Sequence, residues 1–394
     1  MDPAVLERVR TNRGRDMTET DPVGAARALF AELDQLGATA PDGGTFDRRA
    51  LDLIAAAGLR GIAVPGEVGG VDLPLAQAVD VWSELARADG SIGWCAFASD
   101  SAAAYFGAYL PDEGAQEIFG HGGVPLIAGQ FAPNGTGVRS ADGQAWVVDG
   151  EYSFGSGLPH ADWAGAGFFT TPADGGDAAY LLGCFPVELA DQKDNWNVLG
   201  LRATRSIDYG VHGVAIPVHR TFEFFAPVVH RGTAKHHLGV LPLTAAGHAA
   251  WALGVGRRAL DELIAVAGRT RMGAPSALAD SDHFRIELAR LESRQRAGRA
   301  WVAEVCAAAE AECEALGGPA TEATANLLRQ ACVHVNREAV AISREAYALA
   351  GTTALRDGPL QRCFRDLHAG SQHFFASDSA SQDFARSLLT AGGE

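Results

Sequence analysis

The six cysteines of this 394-residue chain, Cys95, Cys184, Cys306, Cys313, Cys332 and Cys363, form no CxxC pair. A zinc site built on paired thiolates is therefore not indicated, and the scatter fits a reduced cytoplasmic setting better than a disulfide frame. No basic stripe runs along the chain, whose net charge is −16 with 48 acidic against 32 basic residues. Nucleic acid needs such a stripe to neutralise its phosphates and is not an expected partner. Long apolar runs are missing as well: none reaches the ~18 residues that span a bilayer, and no apolar core follows the basic residues between Arg8 and Arg15. Neither membrane insertion nor a Sec-type signal is expected. Nor does any GxGxxG open a βαβ unit, so no nicotinamide site of the Rossmann kind is implied.

What is present is a globular composition, 47% hydrophobic and 20% charged, on a chain long enough for two or three domains. Apolar residues recur at helical spacing in Asp21 to Gln35, in Arg48 to Gly58 and in Leu75 to Ala88, where Val79, Trp82, Leu85 and Ala86 share a face. Ser91 to Leu110 is small and apolar, a helix that either packs closely or lets something flat lie against it. From Pro125 the pattern alternates, in Gln144 to Val148, Ala178 to Phe185, Asp208 to Ile216 and Arg220 to Phe225, which predicts short strands. Beyond His230 come four long helical segments, Thr244 to Ala267, Asp282 to Leu316, Thr321 to Ala350 and Pro359 to Leu389, separated by Gly and Pro breaks. The expected architecture is mainly α with a central β domain: an N-terminal helical domain over 1–122, a middle β domain over 123–228 and a C-terminal four-helix bundle over 229–394.

Two stretches gather chemistry. QRCFRDLHAGSQHFFASDSASQD, Gln361 to Asp383, places His368 and His373 among aromatics around a Gly-Ser break, and offers an acid/base. EYSFGSGLPHADW, Glu151 to Trp163, ends a strand-like run in a hydroxyl-bearing turn, and offers Ser156 as a hydrogen-bonding group. His368 precedes His373 by five residues, which sets the rings about 140° apart on an unbroken helix. The two share a pocket only if Gly370 interrupts the turn.

Several segments resemble one family in order along almost the whole chain: GLRGIAVPGEVGG (Gly58 to Gly70), RADGSIGW (Arg87 to Trp94), FAPNGTG (Phe131 to Gly137), SFGSGLPHADW (Ser153 to Trp163), WNVLGLRATRS (Trp196 to Ser206) and PLQRCFRDLHAGSQH (Pro359 to His373). They are similar to the two-component, reduced-flavin-dependent monooxygenases with the acyl-CoA dehydrogenase fold, a group that includes phenol hydroxylases, indole oxygenases, sulfur oxygenases and amino-sugar N-oxygenases. Acyl-CoA dehydrogenases commonly carry Glu-Gly-Thr in the last-helix region, where the carboxylate removes a proton. This chain reads Ala369-Gly370-Ser371, and a methyl group cannot act as a base. Some dehydrogenases hold their Glu on another helix, so a dehydrogenase with a relocated base remains the alternative, beside an N-oxygenase of an amino compound.

The resemblance implies a β-barrel-like middle domain and use of FADH2 or FMNH2, delivered by a separate flavin reductase, to hydroxylate a phenol- or indole-type aromatic with O2 through a C4a-hydroperoxyflavin. It also implies a homotetramer in which a neighbouring bundle completes each flavin site. Ser156 would accept from flavin N5–H. His373 would serve as the acid/base, titrating near neutrality, with His368 second. Gln130, Phe131, Gly137 and Trp94 fall at cofactor positions, and Arg271, Gly351 and Thr352 would meet a phosphate or pyrophosphate. Arg365-Asp366 reads as a structural pair. His160 and Asp162 stand either at the flavin rim or in a solvated loop, and Trp163 either in the core or on flavin. The substrate is not readable: where relatives can project a histidine, this chain has Ser99-Asp100-Ser101-Ala102 between Phe97 and Tyr105.

Overall fold

The computed structural model describes residues 21–41, 43–171, 176–270 and 276–391. Within them eleven helices surround a seven-stranded sheet. Helix α1 (Pro22–Ala28) starts where the Asp21 carboxylate accepts from Gly24 N, with proline at its first position. It ends at Leu29, and α2 (Phe30–Ala38) begins afresh, so the helix expected from Asp21 to Gln35 is two. The next two, α3 (Arg49–Ala56) and α4 (Leu75–Ala88), lie where periodicity placed them. Asp89 then caps α5 (Gly90–Tyr109) by accepting from Ser91 N and Ile92 N at 3.0 Å each. That helix is buried on nearly every side, because its small side chains let α4 and the bundle close around it. A short α6 (Asp112–Phe119) follows.

The sheet comprises β1 (Ile127–Arg139), β2 (Ala145–Gly155), β3 (Trp163–Thr171), β4 (Tyr180–Pro186), β5 (Asp191–Gln192), β6 (Ile207–Pro217) and β7 (Thr221–Glu223), in the order β5-β6-β2-β1-β3-β4-β7. Only the β1/β3 pair is parallel. Neither of those two strands was expected, because glycine and alanine stand where β-branched residues usually mark a strand. The β1/β3 register shifts between Gln130 and Gly135, so the chain from Phe131 leaves the ladder and faces the helices. Tyr152, Phe168, Phe185, Tyr209 and Ile216 form the sheet's own core. A second core runs without interruption from the N-terminal helices into the C-terminal ones.

The C-terminal bundle contains α7 (Val240–Val266), α8 (Asp282–Leu316), α9 (Glu322–Ala350), α10 (Pro359–Gly370) and α11 (Asp378–Ala391). The single helix expected from Pro359 to Leu389 is broken by a 3-10 turn (Phe374–Ala376). Helix α10 ends at Gly370, where a Cβ would lie 2.2 Å from Trp251 Cη2 and 3.0 Å from Trp94 Cζ3. Only glycine lets α10 end against those two indoles. All six cysteines are buried and free. No helix among the described residues is long and apolar enough to cross a membrane.

Candidate active site

A cavity of about 440 Å³, within the usual range for small-molecule sites, opens where α5, α7, the β1 bulge and the α10–α11 connection meet. Helical spacing explains its walls. Trp94, Phe97, Ser101 and Tyr105 recur along one face of α5, and Thr244 and His248 sit one turn apart on α7. Among the described residues, no Asp, Glu, Lys or Arg lines it. A larger cleft of about 700 Å³ between α4, α7 and α8 is a network of ion pairs, Arg87 with Asp261 at 2.7 Å and Arg299 with Asp80 at 2.8 Å among them, and gathers no catalytic group.

Two imidazoles face each other in the 440 Å³ cavity. His248 and His373 stack with ring centroids 4.2 Å apart and planes 29° apart, and Trp94 meets both rings edge-on. His373 retains some accessible surface but sits deep among packed atoms, and that desolvation lowers its pKa to about 4. Burial, and then the neighbouring His373, hold His248 well below the usual histidine range. Both rings are neutral at pH 7, which corrects the expectation of a group titrating near neutrality. The Phe375 backbone N–H donates to His373 Nδ1 at 3.4 Å, so the neutral ring carries its proton on Nε2. His248 makes no hydrogen bond to the described protein.

Beside the pair, four hydroxyl and indole groups form a chain with a fixed direction. Thr204 Oγ1 donates to Leu201 O at 2.7 Å, which commits its only proton. Ser206 Oγ, 2.7 Å from Thr204 Oγ1, must then donate to it. Ser156 Oγ, 2.7 Å from Ser206 Oγ, must donate in turn. Trp94 Nε1 donates to Ser156 Oγ at 2.9 Å. A hydroxyl has one proton and two lone pairs, so Ser156 is left with one lone pair and no proton for a ligand. It can only accept.

Known proteins match this chain over most of its length. The model for the acyl-CoA dehydrogenase N-terminal domain matches residues 24–114 and that for the C-terminal domain residues 246–378. An indole-3-acetate monooxygenase of Pseudomonas putida is 29% identical over 355 residues, covering 86% of this chain and 88% of that one. The flavin-dependent monooxygenase oxygenase subunit HsaA of Rhodococcus jostii is 27% identical over 314 residues, covering 74% and 77%. The two domain models together span more than half of the chain, which belongs to the acyl-CoA dehydrogenase fold family; both relatives are monooxygenases. A Streptomyces protein, XiaF, solved with FADH2 and glycerol, superposes with a TM-score of 0.83 at 18% identity, covering 98% of each chain.

The residues around the cavity fit a reduced flavin. N5 of a reduced flavin is a donor, and Ser156 offers an acceptor with no competing proton. Of the residues expected at the site, Ser156, His373, Trp94, Gln130 and Phe131 line the cavity. The Gln130 side chain is partly committed, accepting from Asn134 Nδ2 at 2.8 Å. Gly137 lies off the cavity, pressed on Phe168, whose ring a Cβ would meet at 2.6 Å. Gly351 and Thr352 begin a 3-10 turn after α9, also away from it. Arg271 falls outside the described residues.

His368 requires correction. Its Nδ1 donates to Phe364 O at 2.7 Å and its ring packs on Phe364, because α10 continues unbroken through it before stopping at Gly370. His160 and Asp162 are structural: His160 is buried and bonds Thr45 Oγ1 at 2.9 Å, and Asp162 accepts from Leu126 N at 2.8 Å. Trp163 lies under Arg220. Asp366 pairs with a loop rather than with Arg365, accepting from Leu201 N at 2.6 Å, and burial raises its pKa to about 7. His248 was missed. Its signal was a single polar residue in the apolar run AAGHAAWALGVG, where an unpaired imidazole costs stability.

Proposed function

We propose that the protein is the oxygenase component of a two-component system that hydroxylates a small aromatic, taking two electrons from FADH2 or FMNH2 and one oxygen atom from O2. The other oxygen atom leaves as water and the flavin leaves oxidised, so atoms and electrons balance. The observation that carries this reading is the composition of the cavity wall: two imidazoles, hydroxyls and aromatics, with no carboxylate. An acyl-CoA dehydrogenase needs a carboxylate base at its substrate, and neither Ala369 nor any lining residue supplies one, which disfavours a relocated base.

Reduced flavin, when bound, supplies the activation of O2. The chain's own residues do the rest. Ser156 and Trp94, with the backbone of Gln130 and Phe131, would hold the isoalloxazine, and Ser156 would accept from it. The phenylalanines and Trp94 exclude water, which protects the reaction from loss of oxygen as peroxide. His373 would present Nε2–H as a hydrogen-bond donor to the oxygen that departs. His248, which makes no hydrogen bond to the described protein, stands beside His373 as a neutral acceptor for a proton released in the reaction. Stacked at 4.2 Å, the two rings accept one extra proton between them but not two.

In this reading the subunits form a tetramer of paired dimers, in which the next subunit's bundle closes the flavin site and Arg271, Gly351 and Thr352 meet the phosphates across it. Support comes from the cavity rim, where Phe154, Phe225 and Phe374 are 60%, 73% and 56% exposed in the single chain. A separate reductase in the cytoplasm supplies the flavin. The test is oxygen stoichiometry: reduced flavin, O2 and an accepted aromatic should give one hydroxylated product per flavin oxidised. Flavin oxidation yielding only peroxide across a broad panel of aromatics, or stoichiometric reduction of tightly held oxidised FAD by an acyl-CoA thioester, would overturn it.

A further inference from the structure

The cavity carries a second polar pole that the chemistry above does not use. Ser101 and Tyr105 lie one turn apart on α5, and Thr244 faces them from α7. Thr244 Oγ1 donates to Val240 O at 2.7 Å, while Tyr105 Oη reaches that carbonyl only at 3.4 Å, so in the short Tyr105–Thr244 hydrogen bond the tyrosine is the donor. Tyr105 Oη keeps acceptor capacity. Ser101 Oγ lies near that hydroxyl but off hydrogen-bonding geometry, and it is buried with no partner. Buried hydroxyls are rarely left unpaired, because each forfeits its bonds to water. A partner that fills the cavity explains this one.

Spacing and charge define that partner. Thr244 stands one helical turn from His248, and Ser101 two turns from Trp94, so the second pole lies roughly 5–10 Å along the cavity from the imidazoles. Phe97 and Phe131 line the space alongside. With no charged side chain on the wall, a carboxylate brought there would be desolvated without a counter-charge, which is costly. We infer that Ser101, Tyr105 and Thr244 form an anchoring subsite that selects a neutral fused-ring aromatic. Its hydroxyl, ring N–H or carbonyl is held at that pole, and the carbon to be oxygenated lies toward His373 and Ser156. This rests on the oxygenase reading for its orientation, but the binding preference stands on the cavity alone.

Isothermal titration of the full chain, anaerobic and loaded with reduced flavin, separates the cases with three probes of one shape: 2-naphthol, naphthalene and 2-naphthoate. At pH 7 naphthol should bind at least about tenfold more tightly than naphthoate. Ser101→Ala, Tyr105→Phe and Thr244→Val should each cut the naphthol-to-naphthalene affinity ratio by about three- to tenfold, the usual effect of one neutral hydrogen bond. Thr244→Ser should restore it. Equal binding of naphthol and naphthoate, or a ratio that none of the folded variants changes, overturns the subsite. Binding as predicted without oxygen insertion would retain the subsite and remove the oxygenase reading instead.

Discussion

Replacing Ser206 by alanine should change which redox form of the flavin the protein prefers. In the wild-type chain Thr204 holds the Ser206 proton, Ser206 holds the Ser156 proton, and Ser156 is an acceptor only. N5 of reduced flavin is a donor and suits it; N5 of oxidised flavin is an acceptor and opposes it. An unpaired polar contact of this kind in a closed site is worth ~1–3 kcal/mol, or about 5- to 150-fold in affinity. Ser206 is buried and removal of one oxygen leaves only a small void, so Ser206→Ala should fold. It frees the Ser156 proton to turn toward N5, and the preference for reduced flavin should fall by about tenfold or more. The assay is a pair of titrations, oxidised flavin followed by fluorescence quenching and reduced flavin under anaerobiosis, with Ser206→Thr as the hydroxyl-retaining control. An unchanged ratio in Ser206→Ala would show that the relay does not set the polarity of Ser156.

Four further outcomes are expected. Ser156→Ala should divert O2 to peroxide and weaken reduced-flavin binding more than oxidised-flavin binding, checked by the ratio of product to oxygen consumed and by the same pair of titrations. His373→Ala should lose about 10²–10⁴ in hydroxylation rate, whereas His368→Ala stays near wild type because its ring is turned to Phe364 O; the wild-type rate should be level across pH 6–8, since a His373 pKa of about 4 keeps the ring neutral there. Stability should fall with acid: between a folded value of about 4 and an unfolded value near 6.5, the unfolded chain binds a proton that folded His373 refuses. That site alone contributes a loss of about 2 kcal/mol from pH 7 to pH 5, and denaturant melts of His373→Gln should show a shallower decline. Light scattering should give a tetramer, and a monomer that still hydroxylates would refute the shared site.

Long periodic segments carried their own evidence, and α4 and α8 lie where the spacing put them. Strands β1 and β3 did not, because their glycines serve close backbone approach rather than strand propensity. The break after α10 was legible as a condition on Gly370, but the close packing of Trp251, more than a hundred residues upstream, that demands glycine there was not. His373 stood out within a polar, aromatic stretch. His248 stood alone in an apolar helix, and only the packing of α7 against the end of α10 makes the two a pair. The acceptor-only character of Ser156 depends on hydroxyls 48 and 50 residues away, at Thr204 and Ser206, so no local motif could have expressed it.

The most direct measurement uses ¹⁸O₂. The full chain, supplied with reduced flavin by a separate reductase and given 2-naphthol, indole or another neutral fused-ring aromatic, should yield a hydroxylated product carrying one ¹⁸O atom, with the second appearing in water. Product bearing oxygen from water, or label recovered only as peroxide for every neutral aromatic tried, would contradict the account.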